Sequence, residues 1–190
     1  MRDINFKEDI QLWKGILRGD QQALSQLFRK YYTALLNYGL RLIQEDELVK
    51  DSIQELFYTI WETRDRLSDV VYVRSYLYSS MRRTVYRQAK KHETWHKRDQ
   101  SYSEETPKDM MNEEQLMILG EIEEEQNEHV RQALLRLSER QREVVFLKFY
   151  GGLSNEEISQ VLGVNRQSVY NYIYRAITIL QETLSHSYTG

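Results

Sequence analysis

The stretch Ser154 to Arg175, SNEEISQVLGVNRQSVYNYIYR, limits the fold of this chain more than any other. Ser154, with Glu157 three residues on, is a capping box: the hydroxyl accepts from a free amide of the first turn, and the carboxylate reaches back to the cap. Ile158, Val161 and Leu162 follow at helical spacing, and Gly163 supplies the left-handed conformation that ends a helix. Asn165 is placed to cap a second helix, on which Val169, Ile173, Ala176, Ile177 and Leu180 form one apolar stripe. The other face carries Arg166, Gln167, Tyr170, Asn171 and Tyr174. Two helices joined by a glycine-containing turn, the second with planar polar side chains outward, is the helix-turn-helix arrangement that sets its second helix in the major groove. Asn, Gln and Arg can pair bidentately with base edges there. An ordinary helical hairpin is the plainer reading. From Ser154 to Gly190 the only bases are Arg166 and Arg175, against Glu156, Glu157 and Glu182, so tight DNA binding by this segment alone is not expected.

The chain of 190 residues is 41% hydrophobic and 29% charged, enough apolar content for one domain or two small ones. It has no cysteine, which removes disulfides, thiolate metal sites and cysteine nucleophiles, and its four histidines are scattered, so neither metal nor cofactor is expected. No apolar run is long enough to cross a bilayer and the N-terminus is too polar for a secretory signal, so a cytoplasmic location with no membrane insertion is expected. One proline, eight glycines and no sustained alternation argue for an all-α chain. The net charge of −3 conceals two blocks. Between residues 82 and 98 lie Arg82, Arg83, Arg87, Lys90, Lys91, Lys97 and Arg98 against Glu93 alone, while residues 99 to 128 hold eleven acids against Lys108.

In the N-terminal half, Ile10, Trp13 and Leu17 mark a first helix that breaks at Gly19-Asp20. Ala23, Leu24, Leu27, Phe28, Tyr31, Leu35 and Tyr38 carry a second to about Ile43. Gln44-Glu45-Asp46 opens a third, with negative charge where the helix dipole favours it. Val49, Ile53, Leu56, Phe57, Ile60 and Trp61 are its expected core face. Its other face, Glu47, Asp51, Gln54, Glu55, Tyr58 and Glu62, reads as a solvated acidic stripe or a docking surface for a basic partner. A loop from Glu62 to Val73 leads into RSYLYSSMRRTVYRQAKK. There Tyr72, Tyr76, Tyr78 and Tyr86 alternate with cations, a composition suited to stacking exposed bases and following phosphates. Core positions for the aromatic residues on a plain basic helix fit equally well.

Residues 100 to 112, with the only proline and few apolar side chains, read as a flexible connector between two domains. Leu116, Ile118, Leu119 and Ile122 suggest a short helix before the acidic run 123–125. Val130, Leu134 and Leu137 form the next, and a second capping box, Ser138 with Gln141, starts another that runs through Val144, Val145, Leu147 and Phe149 to Gly151-Gly152. With the opening motif this makes a second domain of four short helices.

Three segments, RGDQQALSQLFRKYY (Arg18–Tyr32), DELVKDSIQELFYTIWETRDRL (Asp46–Leu67) and LSERQREVVFLKFYGGLSNEEISQVLGVNRQSVYNYIYRAITIL (Leu137–Leu180), together resemble a sigma factor of bacterial RNA polymerase, of the small extracytoplasmic-function group of the sigma-70 family. The resemblance spans nearly the whole chain. It implies a region 2-like helical domain over residues 1–98, an acidic linker over 99–127 and a region 4-like helix-turn-helix domain over 128–190. It further implies that Glu47, Asp51, Gln54, Glu55 and Tyr58, near Trp61, dock on core polymerase at the beta-prime coiled coil, with the beta subunit a further partner. Asp69, Tyr72, Arg74, Tyr76, Tyr78, Arg82, Arg83, Arg87 and Lys90 would open the minus-ten element of promoter DNA and hold its unpaired strand. Arg166, Gln167, Ser168, Tyr170, Asn171, Tyr174 and Arg175 would read the minus-thirty-five element. Members of the family often carry a basic residue at the position of Tyr170 and an asparagine at that of Arg83. An anti-sigma factor, often membrane-bound, is the usual regulatory partner.

The expectation is therefore a transcription initiation factor without catalytic activity. The competing readings are a helix-turn-helix regulator that never touches polymerase, and a metal-dependent helical nuclease. The second is disfavoured by the lack of paired-carboxylate spacing or a histidine cluster.

Overall fold

The computed structural model describes residues 2–99 and 124–187, which are helical with no strand among them. The chain forms two compact units, Met1–Lys108 and Asp109–Gly190. Most of the expected linker, with its short helix at Leu116 to Ile122, lies outside the described residues. Residues 124–127, at the end of the expected linker, form the opening turn of a helix.

In the first unit α1 (Arg2–Leu17), α2 (Gln21–Leu42), α3 (Asp46–Thr63) and α4 (Val73–Asp99) surround one core. Each boundary has a local cause. Asp20 caps α2, its Oδ1 accepting from the amides of Gln22 and Ala23 at 2.9 and 3.1 Å. No side chain caps α3, whose first turn instead carries Asp46 and Glu47 against the positive end of the dipole. The helix runs into a short 3-10 turn at Arg64–Arg66, so the expected loop is extended only from Leu67.

Trp13, Ile16, Leu27, Leu35, Tyr38, Val49, Ile53, Ile60, Leu77, Met81 and Val85 are fully enclosed, and each large apolar side chain so buried contributes roughly 1.5–3 kcal/mol. Tyr38 packs on Tyr78 with ring centroids 5.0 Å apart, and Trp13 meets Tyr76 edge-on at 4.9 Å. Gly39 lets three helices approach: a Cβ there would lie 2.5 Å from Val49 Cγ1 and 2.7 Å from Met81 Cε. Trp61 does not join the core but is half-exposed, its ring covered by the Arg64 guanidinium at 4.4 Å. The buried stripe of α3 ends at Ile60, and Trp61 lies on its margin.

Polar ties fix α1 to α2. Asp9, 4% exposed, accepts a 2.5 Å hydrogen bond from the Tyr31 hydroxyl and lies 2.8 Å from Lys30 Nζ, which also pairs with Glu8. Burial, reinforced by the Asp9 carboxylate, pushes the Tyr31 phenol well above its usual range, so it remains a neutral donor. Burial alone would lower the Lys30 ammonium, but its bonds to Asp9 and Glu8 outweigh that and raise it.

The second unit contains α5 (Glu124–Leu135), α6 (Glu139–Val145) continuing into a π-helical turn (Phe146–Tyr150), α7 (Asn155–Leu162) and α8 (Arg166–Ser187). Both capping boxes form. The Ser138 amide donates to Gln141 Oε1 at 2.8 Å, and the Ser154 amide to Glu157 Oε2 at 2.8 Å, each with the reciprocal bond to the serine hydroxyl. Gly163 adopts φ 65°, the left-handed conformation expected of it. Ala133, Leu137, Val144, Phe146, Leu147, Leu153, Ile158, Val169 and Ala176 are buried. Two features differ from the sequence reading. The π turn rotates the chain so that Phe146 and Leu147 are buried while Phe149 is 65% exposed. The last helix, at 22 residues, is long rather than short.

Candidate functional site

Three surfaces carry the candidate residues: the outer face of α3, α4 with the loop before it, and the outer face of α8.

On α3 the buried stripe leaves Glu47, Asp51, Gln54 and Glu62 exposed on the opposite side, with Tyr58 at 66%. Among these side chains Lys50 pairs with Asp46 and Glu47. Glu55 differs from its neighbours on the stripe. Its carboxylate accepts from Arg87 at 2.6 Å and from Gln88 Nε2 at 2.6 Å, and Gln88 Oε1 accepts from the Ser52 hydroxyl at 2.9 Å. Burial would push the Glu55 carboxyl up, but the bonds from Gln88 and Arg87 prevail and hold it below the usual range. Glu55 thus joins α3 to α4 as well as lying beside the acidic face. Trp61, half-exposed, sits at the C-terminal end of the same helix.

The loop before α4 is pinned where the Trp13 indole donates to the Ser68 carbonyl at 3.2 Å. Beyond that bond Asp69 and Val71 are exposed, and Tyr72, half-buried, lies against Phe6 at 5.8 Å. Along α4 the exposed cations Arg83, Arg87 and Lys90 recur at i, i+4 and i+7, one stripe on a single face. Arg83 donates to Ser80 Oγ at 3.0 Å, and the Arg82 guanidinium covers the Tyr86 ring at 4.9 Å. Arg74 and Tyr76 are half-buried. Tyr78 requires a correction: it is 1% exposed beneath Tyr38, so this conformation offers none of its ring to a base. Of the aromatic residues that alternate with cations in sequence, Tyr78 is buried and Tyr72, Tyr76 and Tyr86 are half-buried, while Arg83, Arg87 and Lys90 are exposed.

On α8, Val169 and Ala176 are fully buried. Facing away are Gln167 and Asn171, with Tyr170 54% and Tyr174 74% exposed. Asn165 caps the helix, its Oδ1 accepting from the Ser168 amide at 2.7 Å. Ser168 itself is half-buried, and Arg175 is exposed one turn beyond Asn171. Gln167 Nε2 donates to Asn171 Oδ1 at 3.2 Å. Arg166 Nε lies 2.6 Å from Glu156 Oε2 across the inter-helix turn, fixing α8 against α7. The Glu156 and Glu55 ties escaped the sequence reading. A serine at position 52, amid the apolar stripe of α3, was the one signal that a polar partner crosses from another helix.

Among the described residues no group of histidine and acidic side chains could hold a metal ion, and no helix is long and apolar enough to cross a membrane.

These surfaces fall within two matched families. Residues 27–94 match the Sigma-70 region 2 family and residues 128–180 the Sigma-70, region 4 family. The RNA polymerase sigma factor YlaC of Bacillus subtilis (strain 168) is 26% identical over 174 residues, covering 88% of this chain and 95% of the relative. Two solved structures share the fold. CnrH, solved in complex with the cytosolic domain of CnrY, matches with a TM-score of 0.65 at 21% identity, over 94% of this chain and 98% of that one. The sigma factor RpoE, solved with the anti-sigma factor NepR from Bartonella quintana, matches with a TM-score of 0.58 at 20% identity, over 85% and 96%. With region 2 and region 4 in order along the chain, it belongs to the extracytoplasmic-function group of the sigma-70 family, the RNA polymerase sigma factors.

Proposed function

We propose that this sigma factor divides promoter recognition between its two units. The outer face of α3, Glu47, Asp51, Gln54 and Tyr58 with Trp61 at its end, docks on the beta-prime coiled coil of core polymerase. The observation that carries this is an acidic face with an exposed tyrosine at its centre, on a helix whose other side is fully committed to the core. Exposed aromatic residues amid charge are typical anchors of protein interfaces. Glu55 acts from within, orienting α4.

Strand opening falls to Asp69 and Tyr72 in the loop and to Arg74, Tyr76, Arg82, Arg83, Arg87 and Lys90 on α4. Cations at helical spacing suit the regular repeat of phosphates, and the half-buried rings beside the loop suit bases leaving the stack. Unstacking costs a few kcal/mol per base, which these contacts offset. In the second unit α8 enters the major groove of the minus-thirty-five element through Arg166, Gln167, Ser168, Tyr170, Asn171, Tyr174 and Arg175. The α8 surface is not basic enough to hold duplex DNA firmly alone, and mounting both surfaces on polymerase raises the effective concentration of each at its element. The domain limits are 1–98 and 128–190, with 99–127 the connector.

The chain acts in the cytoplasm and has no catalytic activity of its own, the chemistry of RNA synthesis residing in polymerase. CnrH and RpoE are each seen with a protein partner, which supports an anti-sigma factor for this chain too.

Retention on immobilised core polymerase tests the docking face. The wild-type chain is retained, and the double variant Glu47→Lys, Asp51→Lys elutes while keeping its helical circular dichroism. Undiminished retention of the double variant removes α3 as the docking helix.

A further inference from the structure

The segment from Ser68 to Tyr76 carries Asp69, Tyr72 and Arg74 of the proposed strand-opening surface, and two side chains of α1 hold it. Trp13 touches it twice: the indole N–H donates to the Ser68 carbonyl at 3.2 Å, and the ring meets Tyr76 edge-on at 4.9 Å. Both feet of the segment, eight residues apart, therefore stand on one indole. Phe6 precedes Trp13 by seven residues, two turns and about 10 Å along the same face of the helix. Its ring centroid lies 5.8 Å from that of Tyr72, near the middle of the segment. The chain thus leaves Trp13, extends along α1 as far as Phe6 and returns, with Asp69 and Val71 exposed on the outward leg.

The two partners in the Ser68 bond are held very differently. Trp13 is 1% exposed and set in a helix beside the fully buried Ile16, whereas Ser68 is exposed and residues 67–72 belong to no helix. A fixed donor therefore sets the place of an irregular segment. Without the bond the exposed Ser68 carbonyl turns to water, so little folding stability depends on it. Position does depend on it. A loop already held in its working conformation has less freedom to lose when it takes hold of a ligand, and groups that discriminate between ligands must keep within about 0.5 Å of their working geometry.

We propose that Trp13 and Phe6 are positioning residues for the strand-opening surface: without touching DNA they set the span from Ser68 to Tyr76 and the angle of the Tyr72 ring, and so decide how strictly the unpaired bases of the minus-ten element are selected. This rests on the assignment of that surface to the minus-ten element and adds the residues that aim it.

In the test, Trp13 of the full chain is replaced by benzothienylalanine, which keeps the shape of the indole with sulfur in place of the N–H, so the Ser68 bond is lost and no buried donor is stranded. Each chain is combined with core polymerase and given promoters that carry every base in turn at each minus-ten position, and transcript yields give the selectivity at each. Loss of the N–H should lower selectivity at one or more minus-ten positions roughly three- to tenfold, the worth of one net hydrogen bond, with the thermal melt, retention on polymerase and upstream preference unchanged. Trp13→Phe, which also lacks the N–H, should relax the same positions. Phe6→Leu, which removes the ring beside Tyr72, should lower selectivity a few-fold. Unchanged selectivity at every minus-ten position overturns the positioning role and leaves the surface assignment standing. A uniform fall in yield on all promoters, in step with a lowered melting temperature, also overturns it, because the two side chains then only stabilise the fold. A wild-type chain indifferent to every minus-ten base overturns the surface assignment and this inference with it.

Discussion

The two units position their working faces by different means. In the first, the faces of α3 and α4 depend on bonds between residues far apart in sequence: Trp13 to Ser68, Asp9 to Tyr31, and Ser52, Gln88, Glu55 and Arg87 in series. Its core packs Trp13, Tyr38 and Tyr78 among aliphatic side chains of all four helices, and several helices must be in place before any one face is defined. In the second, α6, α7 and α8 are placed mostly by neighbours within a few residues, namely two capping boxes, a left-handed glycine and the Asn165 cap. Under the proposed division of roles, a unit that holds separated strands gains from rigidity over a wide area, whereas one that lays a helix in a groove needs only that helix and its turn.

The comparison is broken most severely by removing the pivot of the first unit. Trp13→Ala deletes a side chain 1% exposed and its bond to Ser68, and should cost about 4 kcal/mol. Hydrogen exchange should show protection lost across α1 to α4 and retained in α6 to α8. Loss of protection in both units would mean that they fold as one. Next in size, Asp9→Ala removes the shared partner of Tyr31 and Lys30, and should cost roughly 2–3 kcal/mol in chemical denaturation. In the second unit Ser154→Ala removes one cap of α7, and a loss of about 1 kcal/mol is expected, confined to exchange in α7 and α8. A loss as large as that of Asp9→Ala would show that the local signals there are not the minor, separable terms described above.

The smallest effect is electrostatic. The Glu55 carboxyl is held below its usual value in the folded chain, so its tie to Arg87 and Gln88 stabilises above the unfolded carboxyl range and is lost as pH falls through the folded value. Both partners are partly exposed, so solvent screening keeps the gain small. Between about pH 5 and pH 3 the wild-type chain should lose slightly more stability than Glu55→Gln. Equal pH dependence of the two thermal melts would show that the tie does not form in solution.

The same contrast explains what the sequence could reveal. The helix-turn-helix was readable residue by residue because Ser154, Glu157, Gly163 and Asn165 each act within a few positions. The apolar faces of α2 and α3 were readable from periodicity. What periodicity could not decide was which tyrosine near α4 turns inward. Tyr72, Tyr76 and Tyr78 are chemically alike, and the choice is made by Tyr38 and Trp13 on other helices. Glu55 looked like any other acid of its stripe because its partners lie 32 and 33 residues away. The π turn at Phe146–Tyr150 left no mark either: an even run of apolar residues fits a regular helix as well as a rotated one. Shared faces were legible, and the cross-helix bonds that aim them were not.

The central claim is that two separately built faces act together on polymerase, the first to hold an opened strand and the second to choose where. Multi-round transcription by core polymerase on a promoter carrying both elements, compared with promoters in which either element is scrambled, measures this directly. The account predicts discrete start points on the intact promoter, loss of initiation when the minus-ten element is scrambled, and a marked but smaller loss when the upstream element is. Initiation that is independent of both elements, or the absence of any defined start point, would contradict it.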